Sequence, residues 1–228
     1  MENINEIDFK KYCFMYWSEA IKDVPLSYMN NSINNLQGEL YKPIIEKCKN
    51  WDFKTPLVMS VISVQNGIGK SHIASSMLKL FISNYVKNNF EKIDSDFKTS
   101  EYYEVRKFKL AFVPERIIYR EIRDSYKDKY KTESNIFEKY SRYDCLIIDD
   151  IFSNKETGDK DFSRRTILDI VNDRCEYTMK PTILTSNLSF NEFVNIDTRI
   201  ASRINNSMLI EINSKLKDHR TVAERKAE

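Results

Sequence analysis

Apolar residues along the chain follow two rhythms. Short, bounded, β-branched runs recur at Leu57–Val64, Phe108–Val113, Cys145–Asp149, Pro181–Ser186 and Met208–Ile212. Runs of this length, apolar on both faces, predict buried parallel strands. Between them the period lengthens. Residues 70–88 carry Ile73, Met77, Leu80, Phe81 and Tyr85 at helical spacing. Pro114 sits where a helix favours proline and opens a helix to about Asp128. Thr132–Tyr140 predicts a short helix. Phe162–Thr178 predicts a longer one carrying Ile167, Ile170 and Val171. Asn191–Asn206 reads as one basic helix. Residues 1–50 read as helical and polar, with turn signals at Val24-Pro25 and Asn30-Asn31. Residues 89–107 are charged and lack periodicity, which predicts a surface insertion or loop. The last fifteen residues form a charged tail. Strands alternating with helices predict an α/β fold, a five-stranded parallel sheet between helices.

Composition narrows the class. The 228 residues suffice for one α/β domain with a sizeable core. Hydrophobic residues make up 41% and charged residues 31%, the balance of a soluble globular chain. No apolar run is long enough to span a bilayer. The start, Met1-Glu2-Asn3-Ile4-Asn5-Glu6, lacks the basic and apolar stretches of a signal peptide, so a cytoplasmic protein is expected. Cys13, Cys48, Cys145 and Cys175 form no CxxC pair, and His72 and His219 are the only histidines. Reduced thiols are expected rather than a zinc site. The net charge of +2 means that any nucleic-acid contact must come from a local patch.

Chemistry concentrates at Val64-Gln65-Asn66-Gly67-Ile68-Gly69-Lys70-Ser71, between the first strand and its helix. A triphosphate needs inward-pointing backbone N–H groups, a helix N-terminus and a mobile ammonium. Glycines let the backbone turn and come close. The chain holds only four glycines, and two of them are Gly67 and Gly69. Lys70 is expected on the β- and γ-phosphates of ATP, and Ser71 on magnesium. Gln65, Asn66, Ile68 and His72 complete the expected nucleotide-binding stretch. Val64 stands where the usual P-loop pattern has its first glycine.

A second constellation is Leu146-Ile147-Ile148-Asp149-Asp150. A carboxylate at the tip of a buried strand is costly without a cation or hydrogen bonds. Asp149 is therefore expected to face the magnesium ion. Asp150 is expected to orient or deprotonate the attacking water. Many such ATPases have glutamate there, so slow hydrolysis is expected. Thr185-Ser186-Asn187 ends the fourth strand. Asn187 is expected to reach the attacking water or the γ-phosphate.

These segments resemble a known family. Gly67-Ile68-Gly69-Lys70-Ser71-His72-Ile73-Ala74 is similar to the GxGKTHLA pattern of the DnaC/DnaI helicase loaders and the IstB transposition ATPases. Tyr143 through Ile151 resembles their second motif, and Thr185-Ser186-Asn187 their sensor-1 segment. Arg199-Ile200-Ala201-Ser202-Arg203-Ile204 is similar to the segment with their arginine finger, and Asp218-His219-Arg220 to their sensor-2 motif. The resemblance covers residues 24–222. It implies a P-loop NTPase core of the AAA+ class with a minimal or absent lid. That core would span residues 24–213, after a short helical extension (1–23) and before a charged tail (214–228). It also implies ATP and magnesium as cofactors, and a homo-oligomeric ring or spiral. Arg203, with Arg199 as second choice, would complete a neighbour's site. Arg220 would contact the nucleotide of its own subunit. Loaders usually carry a helicase-binding domain ahead of the core, and the extension before residue 24 is short for that.

Residues 106–131 carry nine Lys or Arg against four acids, with Tyr119, Tyr126 and Tyr130 interleaved. Cations that track a backbone beside rings that stack on bases suit single-stranded DNA. Arg116, Arg120, Arg123, Lys127 and Lys129 are the expected DNA contacts. The expected function is an ATP-dependent replication accessory, a loader of a replicative helicase that assembles on single-stranded DNA. The alternatives are an IstB-like helper of a transposase and a non-hydrolysing ATP-binding switch.

Overall fold

The structure, a computed structural model, describes residues 5–100, 105–128, 130, 132–152 and 160–212. Five strands form one all-parallel sheet: β1 (Val58–Ile62), β2 (Leu110–Pro114), β3 (Cys145–Asp149), β4 (Thr182–Ser186) and β5 (Met208–Glu211). Their spatial order is β2-β3-β4-β1-β5. The five expected apolar runs thus each hold a strand whose ends fall within two residues of those expected, with β2 shifted to take in Pro114.

Alternation along the strands builds two cores. Cys145 and Ile147 of β3 face one side with Met59 and Val61 of β1. Leu146 and Ile148 face the other side with Val58 and Ile62. On the first side lie α1 (Glu6–Ala20), α2 (Leu26–Met29), α3 (Lys42–Asn50), α4 (Lys70–Asn88) and α5 (Phe90–Thr99). On the second lie α6 (Glu115–Ser125), α7 (Glu133–Ser141), α8 (Lys160–Glu176), α9 (Phe190–Ile196) and α10 (Thr198–Asn205). Sheet faces covered on both sides explain why the strands read as continuous apolar runs.

Two expectations change. Residues 89–107, read as a surface insertion or loop, contain the helix α5, which buries Ile93 against the first core. Phe90, Ile93 and Phe97 do recur at helical spacing, and both phenylalanines meet Tyr12, but the charges between them masked that three-residue stripe. Asn191–Asn206, read as one helix, is two. Asp197 is extended (φ −160°, ψ 119°), ends α9, and accepts the Arg199 N–H to cap α10. Two successive N-caps, Ser189 with Glu192 and then Asp197, start separate helices.

The segment before residue 24 packs into the first core. Tyr12, Tyr16 and Ala20 of α1 are buried there, and Tyr16 meets Tyr85 of α4 edge-on at 5.4 Å. Downstream, the Asp23 carbonyl accepts the Phe112 N–H and so covers the free edge of β2. A fully buried arginine locks the amino ends of β3 and β4. Arg174 of α8 donates to the carbonyls of Tyr140, Tyr143 and Pro181 at 2.7–2.8 Å and to the Thr182 hydroxyl at 2.8 Å. Burial pulls its pKa down to about 10. All four cysteines are free thiols, and among the described residues no cluster of metal-binding side chains and no helix fit to cross a membrane is present.

Candidate functional site

Strand order decides where the chemistry gathers. β4 lies between β1 and β3, pairing Ile62 with Ser186 and Ile148 with Leu184. The carboxyl ends of these three strands therefore meet, and the loop after β1 leads straight into α4. A cleft of about 640 Å³ opens there. Asn66, Gly67, Gly69, Lys70, Ser71, His72, Asp149, Asp150 and Asn187 all line it. These were all expected from sequence. Ser27, Tyr28 and Asn31, from the segment around α2, form a wall that sequence reasoning missed.

The loop is shaped by its glycines. Gly67 and Gly69 adopt φ of 71° and 89°, where side chains are strained. Gly69 is the N-cap of α4, so the first N–H groups of that helix face the cleft. Lys70 is buried, and its Nζ donates to the Gln65 carbonyl at 2.6 Å and the Ser63 carbonyl at 3.3 Å. Two of the expected contacts stand behind the cleft. The Ile68 side chain is in the core at 1% exposure, and Gln65 has a buried Oε1 without a hydrogen-bond partner. Val64, in contrast, is exposed.

The loop is braced from the amino-terminal segment. Tyr41 is buried, and its hydroxyl donates to the Ile68 carbonyl at 2.8 Å. His72 Nε2 lies 2.9 Å from the Ser32 carbonyl, and the Asn31 amide donates to Ser75 at 2.8 Å. No motif in residues 1–50 marks these residues, because their role depends on a fold-back over more than two dozen positions.

The carboxylates are tied to the loop and to β4. Ser71 Oγ donates to Asp149 Oδ1 at 2.9 Å, and Thr185 Oγ1 donates to the same oxygen at 2.6 Å. Burial raises the Asp149 pKa above the usual carboxylate value, and the two hydroxyls oppose that shift. Thr185 also accepts the Asp150 N–H at 2.9 Å. Asn187 Nδ2 donates to Asp150 Oδ1 at 2.5 Å. One hydroxyl and one carboxylate within hydrogen-bond reach are hard oxygen donors of the kind magnesium takes. The donor set of Ser71 and Asp149 thus fits that ion.

Glu115, unremarked in the sequence, is the third acid nearby. It is 3% exposed, and burial pushes its pKa up to about 7. Its position at the first turn of α6, straight after β2, is the signal that was available.

The expected arginines lie elsewhere. Arg203 donates to Glu176 at 2.6 Å, and Arg199 to Asp197 at 2.8 Å. Neither lines the cleft of its own chain. Arg220 and Lys129 lie outside the described residues. The basic stretch 106–131 is split by β2. Arg106 and Lys109 sit at the amino end of the sheet, where Arg106 reaches Asp144 at 3.7 Å. Arg116, Arg120 and Arg123 are exposed along one face of α6, about 10 Å from first to last, with exposed Lys127 in the turn beyond. Tyr126 and Tyr130 are exposed. Tyr119, expected to stack on bases, is instead half-buried and donates to Glu115 at 2.6 Å.

No family model and no curated protein matches this sequence. Solved structures do match. The chain is similar to a DnaC helicase loader at 17% identity and TM-score 0.58, over 83% of this chain and 100% of that one. It is similar to DnaI at 15% identity and TM-score 0.54, over 84% and 92%. It is also similar to the replication initiator DnaA bound to AMPPCP and single-stranded DNA, at 16% identity and TM-score 0.57, over 86% and 54%. The chain shares the fold of these replication proteins, a five-stranded parallel sheet between two layers of helices. It spans about half the length of the DnaA chains that it matches. The resemblance to the loaders read from the sequence motifs holds in the three-dimensional fold. In this fold the cleft sits at the carboxyl ends of β1, β3 and β4, where open parallel sheets bind ligands.

Proposed function

We propose that this chain is a magnesium-dependent ATPase of DNA replication, a helicase-loading accessory that assembles on single-stranded DNA. The observation that carries the ATPase reading is the hydrogen-bonded series Ser71–Asp149–Thr185–Asp150–Asn187 beside Lys70 at one cleft. The glycine loop and the α4 N-terminus hold the phosphates of ATP, and Lys70 leaves its loop carbonyls for the β- and γ-oxygens. Ser71 and Asp149 hold magnesium, which neutralises phosphate charge when bound. Asp150 takes the proton of the attacking water or orients it, and Asn187 fixes the Asp150 carboxylate. Arg203 acts on the site of a neighbouring copy, exchanging Glu176 for phosphate. Arg199 is its alternate, and Arg220 serves its own subunit.

Loading is supported by the fold likeness to DnaC and DnaI. DNA contact is supported by the α6 stripe of Arg116, Arg120, Arg123 and Lys127 beside exposed Tyr126 and Tyr130. The test is magnesium-dependent ATP hydrolysis with and without single-stranded DNA, for wild type, Lys70→Ala and Arg203→Ala. Turnover abolished by both substitutions, and raised by DNA, supports the reading. Binding without turnover sinks it in favour of a nucleotide switch. Co-purification with a transposase in place of a hexameric helicase sinks the loading role.

A further inference from the structure

The turn after β3 is held in an unfavourable shape. Asp150 and Phe152 both have positive φ, 64° and 59°, and neither is glycine. Such residues persist only where the surroundings over-determine them. Three consecutive N–H groups do that here. The Asp150 N–H donates to the Thr185 hydroxyl, the Ile151 N–H to the Thr185 carbonyl, and the Phe152 N–H to Glu115 Oε2, each at 2.9 Å. Ser186 Oγ adds a bond to the Ile151 carbonyl at 2.8 Å.

Two of these partners belong to β4 and would be present whatever α6 carried. Glu115 is different. It is a buried carboxylate, and among the described residues no cation pairs with it. Burying an acid in that way is costly unless it satisfies something specific. Its two oxygens have separate tasks. Oε1 is fixed by the Tyr119 hydroxyl at 2.6 Å, one helical turn away, and Oε2 receives the Phe152 N–H. The side chain is thus aimed by its own helix at the far end of the strained turn. The near end bears Asp150, whose carboxylate is gripped by Asn187. Asp150 is therefore pinned at its amide, at its carboxylate and, through the turn, at Phe152.

We infer that Glu115 is a positioning residue for Asp150: its carboxylate closes the turn Asp150–Phe152 and keeps the Asp150 side chain aimed into the cleft. This rests on the reading of Asp150 as the group that acts on water. Nucleotide affinity should be independent of it, because the phosphate loop lies on a different strand.

The experiment uses the full chain with Glu115→Ala and Glu115→Gln. Glutamine keeps an oxygen for the Phe152 N–H, and alanine does not. Three quantities are measured: kcat for ATP, the dissociation constant of ATP, and amide hydrogen exchange at Asp150 and Phe152. For Glu115→Ala, kcat falls about tenfold or more, because a small displacement of a catalytic group is expensive. Exchange at Phe152 quickens about tenfold, local opening having become easier. The ATP dissociation constant stays within about twofold of wild type. Glu115→Gln restores exchange protection and most of kcat. Where Glu115→Ala does not fold, Glu115→Met fills the space without an acceptor and takes its place. A wild-type kcat in the alanine or methionine variant overturns the inference. So does a parallel loss of kcat and ATP affinity, which marks a merely structural group. A wild type that binds ATP without turnover overturns the proposed function and this role together, whereas wild-type turnover indifferent to Glu115 overturns this role alone.

Discussion

Replacing Thr185 with valine tests how the two carboxylates are held. Valine keeps the shape of threonine, so the core around β4 is left filled. What disappears is one hydroxyl that serves two groups at once, donating to Asp149 Oδ1 at 2.6 Å and accepting from the Asp150 N–H at 2.9 Å. Thr185 is 1% exposed and Asp149 is 9% exposed, so water replaces neither bond readily. A hydrogen bond to a charged group contributes about 1.5–3 kcal/mol, and an orphaned buried donor costs about 1–3 kcal/mol. Because Ser71 still donates to Asp149, the lower part of the first range applies. The expected loss for Thr185→Val is about 3 kcal/mol. In a domain of this size that lowers Tm by roughly 6–12 °C. Urea denaturation followed by circular dichroism gives the free energy directly, provided the slope of the transition is unchanged. Thr185→Ser, which retains the hydroxyl, should recover most of the loss. A Thr185→Val protein within about 0.5 kcal/mol of wild type would refute the reasoning, since surface-like substitutions fall in that range.

Arg174→Met should lose about 4 kcal/mol in the same assay, because four backbone carbonyls and Thr182 lose their donor at once. Arg174→Lys should recover only part of that, since an ammonium lacks the planar fork; equal stability of Lys and Arg would contradict the account. Glu115 has a folded pKa of about 7 against a reference of 4.5, so the folded state holds its proton more tightly. Its contribution is then fully present below about pH 4.5 and is lost as pH rises through 7, by about 3 kcal/mol. Glu115→Gln, which cannot ionise, should therefore gain stability over wild type between pH 5 and pH 8 on an order of about 3 kcal/mol; a pH-independent difference between the two proteins would disprove it.

Much of this protein is written in local pattern. The five apolar runs are strands because both faces of each are covered, and a run such as Cys145–Ile148 needs no partner to announce that. The glycine loop ahead of α4 is legible because Gly67 and Gly69 supply torsions that few residues tolerate, and Lys70 and Ser71 follow at fixed spacing. The acidic tip of β3 is legible because Asp149 ends an apolar run. What sequence could not decide is what meets what. Thr185 touches Asp149 only because β4 runs between β1 and β3, an order that strand patterns do not contain. Tyr41 reaches the loop from 27 positions upstream, and Glu115 reaches Phe152 across 37. The helix α5 stayed hidden because its stripe of Phe90, Ile93 and Phe97 is short, set among charges, and finds its partner Tyr12 only through the fold. The basic stretch around β2 looked like one patch and is two, because a strand carries its termini to opposite ends of the sheet. Local residues set which backbone shapes and chemical groups exist. Only the packing of one sheet between two layers of helices determined which of those groups share a cleft, since burial and hydrogen bonding reward contacts that sequence distance does not reveal.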